Sequence, residues 1–418
     1  MLARLLSLVV LALLVVSCAD SVVSEPPPDE APDGEDEQVD DNPPSVDEPP
    51  VVTVSGISIL DFGATPNDTS DDDAFAINAA LASAQPGDTV RVPVGDYHTR
   101  SEIALRPGVR LEGEDQSTSR LIDMAGGDRK LISGFEDHGS TVAQLTLTST
   151  AEPALFFAVF VQHTDRVTVE DVTIDRFQRY GIYAHGVSNA AVERVTISGA
   201  TDLSAGEGYG VHITEGSHHV LVADSRFTAP LRHAILIQHD AHNNVVRDNA
   251  IDGTFRDGID LHGSGEYDNL IFQNTVTNAQ SAGIGVGEEG APSGRRNRIE
   301  DNLLDGNKWG IIIHGPSDGT LVYGNRILNS VDHGLYLKDG RGTRIDGLTV
   351  TGTQRFWGLL LASADSTHIT QTFVNSNQRG VRVDSGNVAL HFDGNDFRFN
   401  TNTNFLNLGD GVATNNQF

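Results

Sequence analysis

The chain has 418 residues, a formal net charge of −30, fifteen histidines, one cysteine, two tryptophans and two methionines. So acidic a chain offers no global basic surface, which excludes nucleic acid as an expected partner. A single cysteine excludes an internal disulfide framework and any site built from several thiolates. Length alone suggests two or three domains, but an elongated repeat array of this size can be one.

The N-terminus carries one strongly apolar run, Leu5 to Val16, preceded by Arg4 and closed by small residues. Twelve residues, eleven of them apolar, fall short of the roughly 20 needed to cross a bilayer as a helix, so the run reads as an export signal. Val15-Val16-Ser17-Cys18 resembles a bacterial lipobox. That resemblance implies cleavage, lipidation of Cys18 and retention on a membrane surface in the cell envelope. An ordinary secretory signal with an incidental cysteine is the alternative. Residues 19–52 hold twelve acidic residues, repeated prolines and no basic residue. Such a segment cannot bury a core, and charge repulsion with polyproline preference makes it an extended tether. Removing its charge still leaves residues 53–418 acidic.

The body opens on a strand, an acidic turn, a short helix and further strands. Asp71 to Asp73 are placed to cap a helix carrying Ala74, Ile77, Ala80 and Leu81 on one side. Asp61-Phe62-Gly63-Ala64, Val92-Pro93 with Gly95 and Tyr97, and Leu111 with Gly113-Glu114 resemble the N-terminal cassette of the pectate-lyase-like β-helix superfamily. The resemblance implies a fold and leaves the activity open, since lyases, hydrolases, epimerases and phage tailspikes share it.

An internal repeat follows. The small residues Ala158, Gly181, Gly210, Ala234, Gly258, Gly283, Gly310, Gly334, Gly358 and Gly380 recur at spacings of 23, 29, 24, 24, 25, 27, 24, 24 and 22 residues. The first and third positions after each are apolar in nearly every repeat, as in Ile182 and Ala184 or Ile259 and Leu261. Alternation along a strand turns these inward. Asn249, Asn274, Asn302 and Asn325 recur in turns, where stacked amides can satisfy one another. The expected fold is all-β, a right-handed single-stranded parallel β-helix with a short N-terminal capping helix.

The same register lines up an outward strip. It carries Tyr180, Tyr183, His185, Tyr209, His212, His233, Gln238, Asp257, Asp260, His262, Trp309, His314, His333, Tyr336, Lys338 and Trp357, with Arg232, His239, Arg256, Glu266, Lys308 and Arg341 in flanking turns. Coils about 4.8 Å apart make these residues neighbours. Seven of the fifteen histidines lie on or beside this face, and Trp309 and Trp357 are expected to be exposed, ready to stack on sugar rings.

A polysaccharide lyase must neutralise a uronate carboxylate, remove the adjacent proton and protonate a leaving oxygen. Histidine, tyrosine, lysine and arginine suit those tasks. The expected catalytic set is therefore Tyr180, His185, His212, Arg232, His233, Asp257, Asp260 and His262. Tyr183, Tyr209, Gln238, His239, Glu266, Lys308, Trp309, His314, His333, Tyr336, Lys338 and Trp357 are expected to bind substrate. A hydrolase needs carboxylates held several ångströms apart; Asp257, Asp260 and Glu266 are candidates, but neighbouring coils add no aspartate in the same columns. Tyr180-Gly181-Ile182-Tyr183-Ala184-His185 with Arg232-His233 resembles the catalytic region of mannuronan epimerases, except that Tyr183 replaces the family's aspartate. Asp257-Gly258-Ile259-Asp260-Leu261-His262 restores that spacing, which makes it a second candidate for the centre. Asp257, Asp260 and Glu266 offer hard oxygen ligands for calcium. His185, His212 and His233 form a conceivable zinc or copper set. The rival to catalysis is a tethered, monomeric β-helix that only binds or adheres to a polysaccharide.

Overall fold

The computed structural model describes residues 56–418 apart from 137, 204–205, 288–292 and 410. The run expected to be an export signal, Cys18 and the stretch expected to be a tether lie outside the described residues. No helix among the described residues is long and apolar enough to cross a membrane.

Nearly every coil contributes one strand to each of three parallel sheets, of 15, 13 and 12 strands. The chain is a right-handed parallel β-helix. Strand register follows the small-residue alignment throughout: Ile182 pairs with Val211, Ile235 with Ile259, Ile284 with Ile311, and Leu335 with Leu359. These side chains stack in one closed column inside the coil, all at 0–1% exposure. Each such burial contributes about 1.5–3 kcal/mol before chain entropy is counted. The small residues are required by close approach: a Cβ on Gly334 would lie 2.4 Å from the Gly358 carbonyl oxygen and 2.3 Å from Val350 Cγ1.

The asparagine ladder is present. Asn249 donates to Asn274 at 3.0 Å, Asn274 to Asn302 at 3.0 Å, and Asn302 to Asn325 at 2.9 Å. A second ladder, not foreseen, runs from Asn244 through Asn269 to Asn297 at 3.1 Å per step.

The cap is the helix Ala74–Ser83, which buries Ala74, Ala76, Ile77, Ala80 and Leu81. Its capping differs in detail from expectation. Asp72 accepts from the Ala74 amide at 3.3 Å, whereas Asp73 accepts from Thr65 and His98 amides, both at 2.8 Å. Asp73 therefore ties the cap to the first coil instead of closing the helix.

Two expectations about the outward strip need correction. It is not uniformly solvated: His212, Leu236, Asp260 and Ile312 are all buried. Side chains one coil apart pack on one another and exclude water between them. Trp357 is also buried, at 7% exposure, with the Arg379 and Arg382 guanidiniums 5.7 and 5.9 Å from its ring. It is covered by cations and offers no sugar platform.

Candidate active site

The site lies on the 13-stranded sheet, where strands His233–Ile237, Ile259–Leu261, Ala282–Val286 and Trp309–His314 are consecutive neighbours. Ile235 pairs with Ile259, which sets His233 level with Asp257 one coil on. Arg232, His233, Arg256, Asp257, Asp260, His262, Ser281 and Gly287 line a cleft of ≈ 270 Å³. A contiguous hollow of ≈ 580 Å³ shares Arg256, Asp257, Ser281 and Gly287 and continues past Gly285 to Trp309, His314, Tyr336 and Lys338.

Asp260 sits at the centre, buried at 4% exposure. His262 Nδ1 lies 2.6 Å from Asp260 Oδ2, a charge-assisted bond that places the proton on Nδ1. Nε2 then presents its lone pair, and the Gln238 amide lies 3.2 Å from it. Asp257 accepts from the Ala282 amide at 2.5 Å. Burial, and then the charge of Asp260, push the Asp257 carboxyl well above the usual carboxylate range. His233 points Nδ1 at the same acids, 3.5 Å from Asp260 and 4.0 Å from Asp257. Burial holds its imidazole neutral, with the pKa down to about 4.

Gly285 keeps this floor open. Its column carries Tyr183, His212, Leu236, Asp260 and Ile312 in other coils. A Cβ there would lie 3.1 Å from Asp260 Oδ1 and 3.3 Å from Asp257 Oδ2. The missing side chain leaves both carboxyls reachable from the hollow.

Arg232, His233, Asp257, Asp260 and His262 thus come together as the sequence suggests, and Trp309, His314, Tyr336 and Lys338 line the adjoining hollow. Arg256, Ser281, Gly285 and Gly287 complete the walls. For Gly285 the available signal was the one column position with no side chain. Tyr180, Tyr183, His185, Tyr209 and His212 lie toward the N-terminal end and form a ring ladder. Tyr209 stacks on Tyr180 at 5.5 Å and on His233 at 5.7 Å, and Tyr183 on Phe160 at 5.4 Å. Each Tyr209 face meets another ring, which removes it as a sugar platform. Burial raises the pKa values of Tyr180, Tyr183 and Tyr209 and lowers that of His212 to about 3. Two coil spacings, about 9.6 Å, separate Tyr180 from His233, and the Tyr209 ring stacks between them.

The remaining expected residues have other contacts. His239 pairs with Glu215 at 3.2 Å, Lys308 sits 4.6 Å over the Trp309 ring, and His333 Nδ1 accepts from the Trp357 amide at 3.3 Å. Glu266 is fully buried, with its carboxyl beside its own and the His239 backbone amides. Burial raises its pKa from 4.5 to about 7. Below pH 4.5 both folded and unfolded chains are protonated there and the shift costs nothing. Between 4.5 and about 7 the folded chain retains a proton that the unfolded chain releases, so stability falls as pH rises. Glu266→Gln is expected to raise the unfolding free energy by about 2–3 kcal/mol at pH 8 and to leave it unchanged at pH 4. Urea midpoints at the two pH values check this.

The donor set does not suit calcium, which takes six to eight oxygen ligands. The group that converges is His233, Asp257 and Asp260, whose donor atoms lie within 4.8 Å of one another. Glu266, the expected third oxygen ligand, is not in this group; its carboxyl sits beside Gly263 and the His239 backbone.

Comparison with known proteins agrees with the architecture. Residues 157–327 match the family model described as a right handed beta helix region. Residues 282–416 match one described as periplasmic copper-binding protein (NosD), a stretch that excludes His233, Asp257 and Asp260. No curated protein matches. Among solved structures, the A-module of the Azotobacter vinelandii mannuronan C-5 epimerase AlgE6 is 19% identical with a TM-score of 0.71, covering 81% of this chain and 98% of its own. The catalytic unit of a GH87 alpha-1,3-glucanase from Streptomyces thermodiastaticus is 14% identical, with a TM-score of 0.67 over 87% of this chain and 70% of its own. The Streptococcus pneumoniae surface protein and adhesin PfbA is 16% identical, with a TM-score of 0.60 over 85% of this chain and 100% of its own. These likenesses establish the scaffold, which an epimerase, a glucanase and an adhesin share.

Proposed function

We propose that the chain is an exported, lipid-tethered enzyme that cleaves a uronate-containing polysaccharide by β-elimination. The observation that carries this reading is the Asp260–His262 pair, with a 2.6 Å bond, in a cleft walled by Arg232 and Arg256. The arginines pair with the uronate carboxylate and stabilise the negative charge that develops on it. Asp260 orients His262 so that Nε2, once Gln238 yields to substrate, removes the C5 proton. The C4–O bond breaks as the C4=C5 double bond forms, and the His262 imidazolium returns its proton to the departing oxygen. Export and the lipid on Cys18 rest on the signal run and the lipobox resemblance.

Inverting hydrolysis is disfavoured by spacing. One oxygen of Asp257 and one of Asp260 fall within 4.8 Å of each other, which leaves no room for the water held between carboxyls roughly 6.5–9.5 Å apart in an inverting pair. Incubation with alginate, pectate and glycosaminoglycans, following unsaturated-uronate absorbance together with reducing ends, tests the proposal. Absorbance rising in step with reducing ends is expected on at least one polymer. Reducing ends without absorbance would mean hydrolysis, and neither signal on any polymer would leave a binding or adhesive β-helix.

A further inference from the structure

His233 is 4% exposed and its Nδ1 has no hydrogen-bond partner. A distance of 3.5 Å to Asp260 Oδ2 is too long for a good hydrogen bond. The ring nitrogen nevertheless points at two carboxylates, with Asp257 Oδ2 4.0 Å away. The strand register enforces this convergence, because His233 stands level with Asp257 on the neighbouring coil. The next coil puts no side chain into the gap, since it carries Gly285 there.

We propose that His233, Asp257 and Asp260 bind one divalent cation of the zinc type, with the cleft side left for an outside ligand. Zinc bonds of about 2.0–2.2 Å to nitrogen and oxygen require tetrahedral donor separations of roughly 3.3–3.5 Å. The His233–Asp260 pair already has that separation. The His233–Asp257 pair must close by about half an ångström, which a small side-chain rotation supplies. One imidazole and two carboxylates suit zinc and neighbouring transition metals better than calcium or magnesium. Three protein donors plus an open position form the pattern of a catalytic zinc centre, not a structural one. His262 completes it from outside by holding Asp260 Oδ2 at 2.6 Å, as outer partners orient metal-binding carboxylates.

The test is calorimetric titration of the full chain, stripped with EDTA and dialysed, with zinc chloride and in parallel with calcium chloride. One zinc per chain at micromolar or tighter affinity is expected, with calcium much weaker. His233→Ala and Asp257→Asn should each weaken zinc more than about 100-fold, since even outer-shell partners are worth about 10- to 100-fold. His218→Ala, a surface histidine on another face, should not change it. Should His233→Ala fail to fold, Asp257→Asn on the cleft wall decides. Unchanged zinc affinity in Asp257→Asn, calcium binding as tight as zinc, or no zinc binding would overturn the proposal. Substrate is absent from the measurement, so its failure leaves the lyase reading standing, and a failed lyase assay leaves the metal site standing.

Discussion

His262→Ala is expected to lower kcat on the cleaved uronate polymer by about 10²- to 10⁴-fold, the usual worth of a positioned general base, with KM changed only a few-fold. The reasoning is geometric. His262 carries its proton on Nδ1 because Asp260 accepts it at 2.6 Å, which leaves the Nε2 lone pair directed toward the cleft. Arg232 and Arg256, which bind the substrate carboxylate in this scheme, are untouched, so ground-state affinity should survive. Asp260→Asn should impair kcat as well, because an amide at that position can donate to Nδ1 and favour the wrong tautomer. His185→Ala provides the contrast. His185 lies on strand Tyr180–His185, two coils before His233, and its contacts are with Tyr183 and His163. Its rate should stay within about two-fold of wild type, since it touches none of the proposed machinery. Initial rates of unsaturated-uronate formation measure all three. A His262→Ala enzyme that keeps more than about a tenth of wild-type kcat would remove His262 from the base role.

The second large effect concerns stability. Asn302→Ala is expected to lower the unfolding free energy by about 3–5 kcal/mol. Asn302 Nδ2 donates to Ile271 and Glu300 carbonyl oxygens and to Asn325 Oδ1, each at 2.9 Å. Its own Oδ1 accepts from the Asn274 backbone amide at 2.8 Å and side chain at 3.0 Å. Truncation leaves several buried donors and acceptors unmatched at once, each costing about 1–3 kcal/mol. Asn302→Leu should be no better, because filling the volume does not satisfy the neighbours. Thr277→Val, which removes one half-buried hydroxyl 2.7 Å from Asp252 Oδ1 and 3.3 Å from the Ile251 carbonyl, should cost only about 1 kcal/mol. Urea unfolding followed by circular dichroism reads the difference as a shift in midpoint.

The coil was legible because its determinants are local and repeated. Small residues at the inner corner, apolar residues one and three positions on, and asparagine in the turns recur once per coil, so a register error anywhere would break the pattern everywhere. Trp357 shows where that legibility ends. Alternation assigns a side chain to the outer surface, but whether water reaches it depends on what the next coil puts beside it. Arg379 and Arg382 cover Trp357 from a strand 22 residues later. The Asn244 ladder runs through a different turn from the Asn249 ladder, so the spacing of one does not reveal the other. At the site, the Asp257–His262 segment showed which residues could meet. The position of His233 opposite Asp257 followed from the register as well, while the opening at Gly285 depended on an absent side chain. Aromatic residues misled for a physical reason: at coil spacing, rings on one column satisfy one another face to face and leave edges, not faces, for a ligand.

The most direct test of the central claim is a crystal structure of the His262→Ala variant with a uronate oligosaccharide. The expected result is a sugar whose carboxylate meets Arg232 or Arg256, with C5 facing the space vacated by the imidazole and the chain continuing past Gly285 toward Trp309. An oligosaccharide bound instead along the Tyr180–Tyr209 ring ladder, or on another face of the coil, would contradict it.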